Sequence, residues 1–93
     1  MSLSTTGVLD ATLPWRLSEQ VSLRDEAFGA LAYHHGNRRL VFLKSRELVD
    51  LVRRLDSFDN VGLAIASTLP PVLHDQYVKA LSSLASSEII CER

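Results

Sequence analysis

Cysteine is nearly absent. Cys91 stands alone, which excludes an internal disulfide and any metal site built from several thiolates. A basic surplus is missing as well. Ten Lys and Arg face eleven Asp and Glu for a formal net charge of −1, where a nucleic-acid binder ordinarily carries an excess of cations. No apolar run approaches the roughly 20 residues of a membrane-spanning helix. Met1 to Leu13 lacks the basic stretch and apolar core of a secretory signal, so residues 1–13 are expected to be a flexible tail ahead of one domain over residues 14–93. The four glycines are all separated, and no phosphate-cradling loop can be built from them. Ser45, Ser82, Ser83, Ser86 and Ser87 sit in no nucleophile motif. These absences argue against an enzyme, a cofactor or a metal. With the lone cysteine, they fit a reducing cytoplasm.

What the sequence does contain is enough for one core. A chain of 93 residues buries only about 60–65% of the surface that its unfolded form exposes. The first half has a period of two. Val21 and Leu23 alternate with Ser22 and Arg24, as in a half-buried strand. Asp25 to Gly29 reads as a connection, with Gly29 free to take a positive φ. Ala30 to His34 resumes the pattern, with Leu31 and Tyr33 on one face and Ala30 and Ala32 on the other. His35-Gly36-Asn37-Arg38 is a strong turn signal. Arg39 to Leu43 forms a third strand, apolar on both faces. Three strands joined by two short turns make an antiparallel meander.

The second half switches to helical spacing. Ser45 is a candidate N-cap, followed by Leu48, Leu51, Val52 and Leu55 at i, i+3, i+4 and i+7. Asp50 is within reach of Arg53 or Arg54. Asp59 is a candidate cap for a helix carrying Val61, Ala64, Ile65 and Leu69, which Pro70 and Pro71 end. A third helix places Leu73, Tyr77, Ala80, Leu81 and Leu84 on one side. Glu88 to Cys91 is too short to classify by its period, and a final extended segment is one reading of it. A sheet with one apolar face needs a cover, and these helices supply it. The expected fold class is α+β: a three-stranded antiparallel meander followed by three helices.

The third strand is last in the meander, so one of its edges has no partner within the sheet. Arg39 and Lys44 flank it, but Leu40 to Leu43 carry neither charge nor proline to blunt it. Two outcomes are open: the edge is a slot for an extended peptide, or the third helix covers it. Other chemistry is sparse. His34 and His35 are adjacent and face opposite sides of a strand, so they cannot chelate one ion. Asp25-Glu26 in a turn faces water. Trp15, with Leu13 and Leu17 around Pro14, is expected to pack the start of the domain. Arg38, Arg39, Lys44 and Arg46 form a basic cluster around the third strand, which would favour an acidic peptide.

Three stretches carry a resemblance: Trp15 to Leu17, Val21 to Tyr33 with its Phe28-Gly29, and Arg38 to Ser45. They resemble the mycofactocin-system peptide chaperones, which are PqqD-like recognition elements of ribosomally synthesised, post-translationally modified peptide pathways. The likeness is specific from Trp15 to Leu55 and continues weakly to Ile90. Many PqqD-like proteins place Asp-Gly after the first helix, whereas here Ser57 follows Asp56. The resemblance implies a winged helix-turn-helix-like fold. It also implies a non-catalytic chaperone that holds the leader of a precursor peptide and delivers it to a radical S-adenosylmethionine maturase. The leader would add as a strand between the third strand and the third helix. Carried onto this sequence, Arg38, Arg39, Leu40, Val41, Phe42, Leu43 and Lys44 form one wall, and Leu73, Tyr77, Ala80 and Leu84 the other. The alternative is a winged-helix DNA-binding regulator, disfavoured by the net charge and by a third helix whose basic residues are Lys79 and His74.

Overall fold

The computed structural model of the chain describes residues 9–93. Five strands are formed among the described residues: β1 (Trp15–Leu17), β2 (Val21–Glu26), β3 (Gly29–His34), β4 (Leu40–Leu43) and β5 (Ile90–Glu92). Three α-helices follow β4 in the chain: α1 (Arg46–Arg53), α2 (Val61–Thr68) and α3 (His74–Ser86). Single 3-10 turns at Leu55–Ser57 and Pro71–Leu73 link them. β2, β3 and β4 form the expected antiparallel meander, so the α+β class stands.

The pleat decides the two faces of this sheet. Ala30 and Ala32 of β3 are fully buried and His34 nearly so, and these small residues let the helices lie close against the sheet. Leu31 and Tyr33 therefore point to the opposite, outer face. Gly29 opens β3 at φ 151°, and a Cβ there would collide with the Leu43 carbonyl oxygen, so β4 can cross only a glycine at that point. The turn before β4 is closed by His34, whose Nδ1 accepts from the Gly36 and Asn37 N–H groups at 3.0 and 3.1 Å. The left-handed residue of this turn is Arg38, at φ 64°, rather than the glycine or asparagine before it.

Ser45 caps α1 as expected, its Oγ accepting from Leu48 N–H at 3.1 Å. Val49, Leu51, Val52 and Leu55 go into the core together with Val61, Ala64, Ile65, Leu69, Leu81 and Leu84. Fully burying each of these Val, Leu and Ile side chains is worth about 1.5–3 kcal/mol. Two local expectations are corrected. Asn60, not Asp59, caps α2, accepting from Leu63 N–H at 2.8 Å, because the cap must directly precede the first helical residue. Arg53 turns away from Asp50 to Asp25 on β2, at 3.0 Å, while Arg54 lies over the Phe58 ring.

The sequence reading held no second sheet. β1 pairs antiparallel with β5, joining Trp15–Leu17 to Ile90–Glu92. That pairing is non-local and carries no turn signal. Of the expected tail, residues 1–8 lie outside the described residues. Leu9 is buried, and its N–H donates to Ser82 Oγ at 3.0 Å. Thr12 donates from its hydroxyl and its N–H to Asp10, which holds that carboxyl below its ordinary pKa. The carbonyls of Leu13 and Ala11 accept from Val61 and Gly62 N–H at 3.3 and 2.9 Å, satisfying the first free donors of α2.

Candidate functional site: a groove beside an open strand edge

Among the described residues β4 hydrogen-bonds as a strand to β3 alone, so one side of its backbone has no partner strand there. The phase of the ladder identifies which groups those are. His34 N–H donates to the Arg39 carbonyl at 2.9 Å, which makes 34 and 39 a hydrogen-bonded pair. In an antiparallel ladder such pairs alternate. With Ala32 opposite Val41 and Ala30 opposite Leu43, the N–H and C=O groups of Val41 and Leu43 turn inward to β3. The close approach of the Leu43 carbonyl to Gly29 agrees. The backbone groups of Leu40, Phe42 and Lys44 therefore face outward.

The other sheet edge, on β2, is blunted. Arg24 pairs with Glu26 at 2.8 Å and Asp25 with Arg53 at 3.0 Å, so a run of charge guards it. The β4 edge has no such guard between Leu40 and Leu43.

α3 runs antiparallel to β4 and is tied to it at both ends. At one end the Tyr77 hydroxyl and Ser45 Oγ lie 3.0 Å apart. At the other, Arg39 Nη1 donates to the Ser86 carbonyl at 3.4 Å, and Asn37 Nδ2 to the Ser87 carbonyl at 3.2 Å. Between these ties the helix stands off the strand, and a cleft of about 300 Å³ opens. Val41, Phe42, Lys44 and Ser45 form its sheet side, Leu48 its floor, and Gln76, Tyr77, Ala80, Ser83 and Leu84 its helix side. The small Ala80 and Ser83 leave the room.

The expected site residues divide by position. Val41, Phe42, Lys44, Tyr77, Ala80 and Leu84 come together in the cleft. Leu40 is exposed on the outer face. Arg38 and Arg39 are exposed in and after the turn at the Ser86 end. Leu43 does not reach the cleft, because its side chain is fully buried in the core and its backbone is spent on β3. Leu73 also lies outside it, in the 3-10 turn ahead of α3, packed against the core.

Ser45, Leu48, Gln76 and Ser83 were missed as lining. Gln76, Ala80 and Ser83 share an i, i+4, i+7 face, which would have found the two polar ones. Leu48 was absorbed into the apolar stripe of α1. A second cleft, of about 440 Å³, lies elsewhere, among Trp15, Ser18, Gln20, His34, Ala85, Glu88 and Ile90 to Glu92. It adjoins no part of β4.

The histidines are dispersed. His35 faces outward, 2.7 Å from Ser22 Oγ, and His74 Nε2 lies 3.0 Å from the Leu69 carbonyl. Among the described residues no group of three His, Cys, Asp or Glu is placed to hold a metal ion. No helix among them is long and apolar enough to cross a membrane.

Comparison with known proteins gives a consistent result. A protein from Mycobacterium ulcerans (strain Agy99) named "Peptide chaperone MftB" is 42% identical over 85 residues, covering 90% of this chain and 78% of that protein. The protein of the same name from Mycobacterium tuberculosis (strain ATCC 25618 / H37Rv) is 40% identical over 80 residues, covering 85% and 73%. That from Mycolicibacterium smegmatis (strain ATCC 700084 / mc(2)155) is 39% identical over 84 residues, covering 87% and 80%. No solved structure matches the chain. The family described as Peptide chaperone MftB matches residues 14–91. With most of its length inside that match and near 40% identity to three members, the chain belongs to the Peptide chaperone MftB family.

Proposed function

We propose that this chain is a non-catalytic peptide chaperone that binds the leader of a ribosomal precursor peptide by strand addition. The leader is presented to a radical S-adenosylmethionine maturase in mycofactocin biosynthesis. The observation that carries the reading is that the free backbone of Leu40, Phe42 and Lys44 opens onto the apolar cleft between β4 and α3. A peptide laid along Leu40 to Lys44 meets a row of roughly 16 Å. It gains main-chain hydrogen bonds there, while alternate side chains enter the cleft against Val41, Leu48, Tyr77 and Ala80. Arg38, Arg39, Lys44 and Arg46 speed the encounter with an acidic leader and set its register. Holding leader and enzyme together raises the effective concentration of the segment to be modified.

The family membership supports this reading, because the relatives are named as peptide chaperones and chaperoning requires no catalytic group. The protein then works in the cytoplasm and needs no cofactor of its own. Any iron–sulfur cluster belongs to the maturase, since a single exposed thiol at Cys91 cannot hold one. The DNA-binding alternative finds little support in α3. Its exposed positions include one cation, Lys79, set against Asp75, where a recognition helix offers several base- or phosphate-reading side chains.

Titration of the purified chain with full precursor, leader fragment and duplex DNA tests the reading. Leader and precursor should bind alike, with moderate affinity because ordering the leader costs about 2–5 kcal/mol. Absence of leader binding, or a DNA affinity that falls steeply with salt, would overturn it.

A further inference from the structure

The cleft between β4 and α3 is not uniform along its length. Its middle and its Ser86 end are lined by Val41, Ala80, Ser83 and Leu84. At the other end stand Lys44, Ser45, Gln76 and Tyr77, and the hydrogens there are not all spent. Tyr77 is 6% exposed. Its hydroxyl lies 3.0 Å from Ser45 Oγ, which also accepts from Leu48 N–H. Two hydroxyls carry two O–H hydrogens. Their mutual bond uses one, and the Leu48 N–H takes only a lone pair. Whichever hydroxyl donates to the other, one O–H is left over among the described residues.

The surroundings select the acceptor for it. Lys44 joins none of the ion pairs among the described residues, and the Gln76 amide supplies further N–H donors. α1 starts directly after Ser45, and α3 starts two residues before Gln76, so the positive ends of two helix dipoles lie beside the same spot. The first-turn carboxylates of those helices, Glu47 and Asp75, are exposed and line no part of the cleft. A hydroxyl, an amide and an ammonium group around one spot call for a negatively charged acceptor, and a carboxylate can take all three.

The strand register says which residue of a bound peptide brings it. Cross-strand partners share a face. Val41 and Leu43 have their side chains on the inner face, so peptide residues opposite them send theirs into the cleft. The one opposite Leu43 arrives at the Lys44 and Tyr77 end. The one opposite Val41, two residues away, arrives beside Ala80 and Leu84.

We propose that the Lys44, Gln76 and Tyr77 end of the cleft is a subsite for one carboxylate side chain of the leader. An apolar side chain two residues from it is held between Val41 and Ala80. The proposal rests on the leader-binding function above and adds to it a rule for the leader's sequence. A slip by two residues takes the carboxylate away from these donors, so the subsite sets the register.

The test is a titration of the full chain with leader fragments made as C-terminal amides, each Asp or Glu being replaced in turn by Asn or Gln. One replacement should weaken binding by about tenfold or more, the worth of a charge-assisted hydrogen bond, and the others by less than about threefold. Serine placed two residues to one side of that acid should also cost about tenfold or more. In Lys44→Met/Tyr77→Phe the same acid-to-amide replacement should cost less than about threefold. A general loosening of the cleft weakens acid and amide leaders alike, so their ratio reads the contact itself. If thermal melting shows the double variant to be unfolded, Lys44→Met alone, at an exposed residue, should still shrink that ratio by about threefold or more.

An even, small loss at every acid would overturn the proposal, since it marks only long-range attraction. So would a loss that persists in full in the variant, tight binding by a leader without Asp or Glu, or indifference to serine on both sides of the acid. A free-acid leader binding about tenfold tighter than its amide would overturn it too, giving the subsite to a chain terminus. A parent that binds the leader with a flat scan sinks this inference alone. A parent that binds no leader sinks the proposed function with it.

Discussion

Val41 and Phe42 are adjacent on the same strand, yet the ladder gives their N–H groups opposite tasks. Val41 N–H turns toward Ala32 inside the sheet, whereas Phe42 N–H faces the open edge. Proline at either position removes one donor. Phe42→Pro should leave the thermal midpoint close to that of the parent while weakening leader binding about tenfold, read by anisotropy titration, because a β-edge tolerates proline where its N–H is unused. Val41→Pro should instead cost about 2–4 kcal/mol of stability in urea, since it breaks a ladder bond and strands a buried carbonyl. Alternation of side chains could be read from Leu40 to Leu43. The phase of the hydrogen bonds could not, because it depends on which residue closes the His34 turn.

The end of α3 shows how an element can be completed by an unfavourable residue. Ile89 N–H donates to the Leu84 carbonyl at 2.9 Å and Glu88 N–H to the Ala85 carbonyl at 3.0 Å, the paired bonds of a Schellman motif. Leu84 and Ile89 are buried together beneath it. Glu88 occupies the left-handed position at φ 64°, where glycine is the usual choice and other L-residues cost about 1–2 kcal/mol. Glu88→Gly should therefore raise stability by up to about 1 kcal/mol, measured by urea unfolding, after subtracting the contact of Glu88 Oε1 with Asn37 Nδ2. Leader affinity should not change. Without a glycine after Ser86, the sequence offers no stop signal, and so the end of α3 and the start of β5 were not legible in it. The three helices themselves were, because their apolar spacings repeat over several turns.

At the scale of the whole molecule, the first and last described segments hold the domain together. β1 pairs with β5, and Arg93 reaches the Asp56 and Phe58 carbonyls at 3.0 and 2.6 Å. Leu9 to Leu13 lies against α2 and α3, burying Leu9, and its Ala11 and Leu13 carbonyls accept from the Gly62 and Val61 N–H groups in the first turn of α2. A chain truncated to residues 14–93 should lose about 2–4 kcal/mol relative to the full chain, from one buried leucine and the uncapped donors of Val61 and Gly62. Urea melts of the two forms would check this. An unchanged midpoint would show that the segment contributes nothing to stability. Leu9 meets α3 at Ser82, which is not among the residues lining the β4 cleft, so leader binding by the surviving folded fraction should match the full chain.

The sequence by itself determined the elements that rest on local periodicity: the meander over Val21 to Leu43, the three helices, and a final strand without charge or proline in its middle. It also carried the family likeness, through Phe28-Gly29 and the stretch from Arg38 to Ser45. Only the tertiary structure decided the rest, because these features join residues far apart in the chain. The stand-off of α3 depends on ties from Tyr77 to Ser45 and from Arg39 to Ser86. Choosing Val41 for the cleft and Leu43 for the core needed the packing of helices on Ala30 and Ala32. The outer apolar face became visible only once that packing had left Tyr33, Leu40 and Phe42 on the other side.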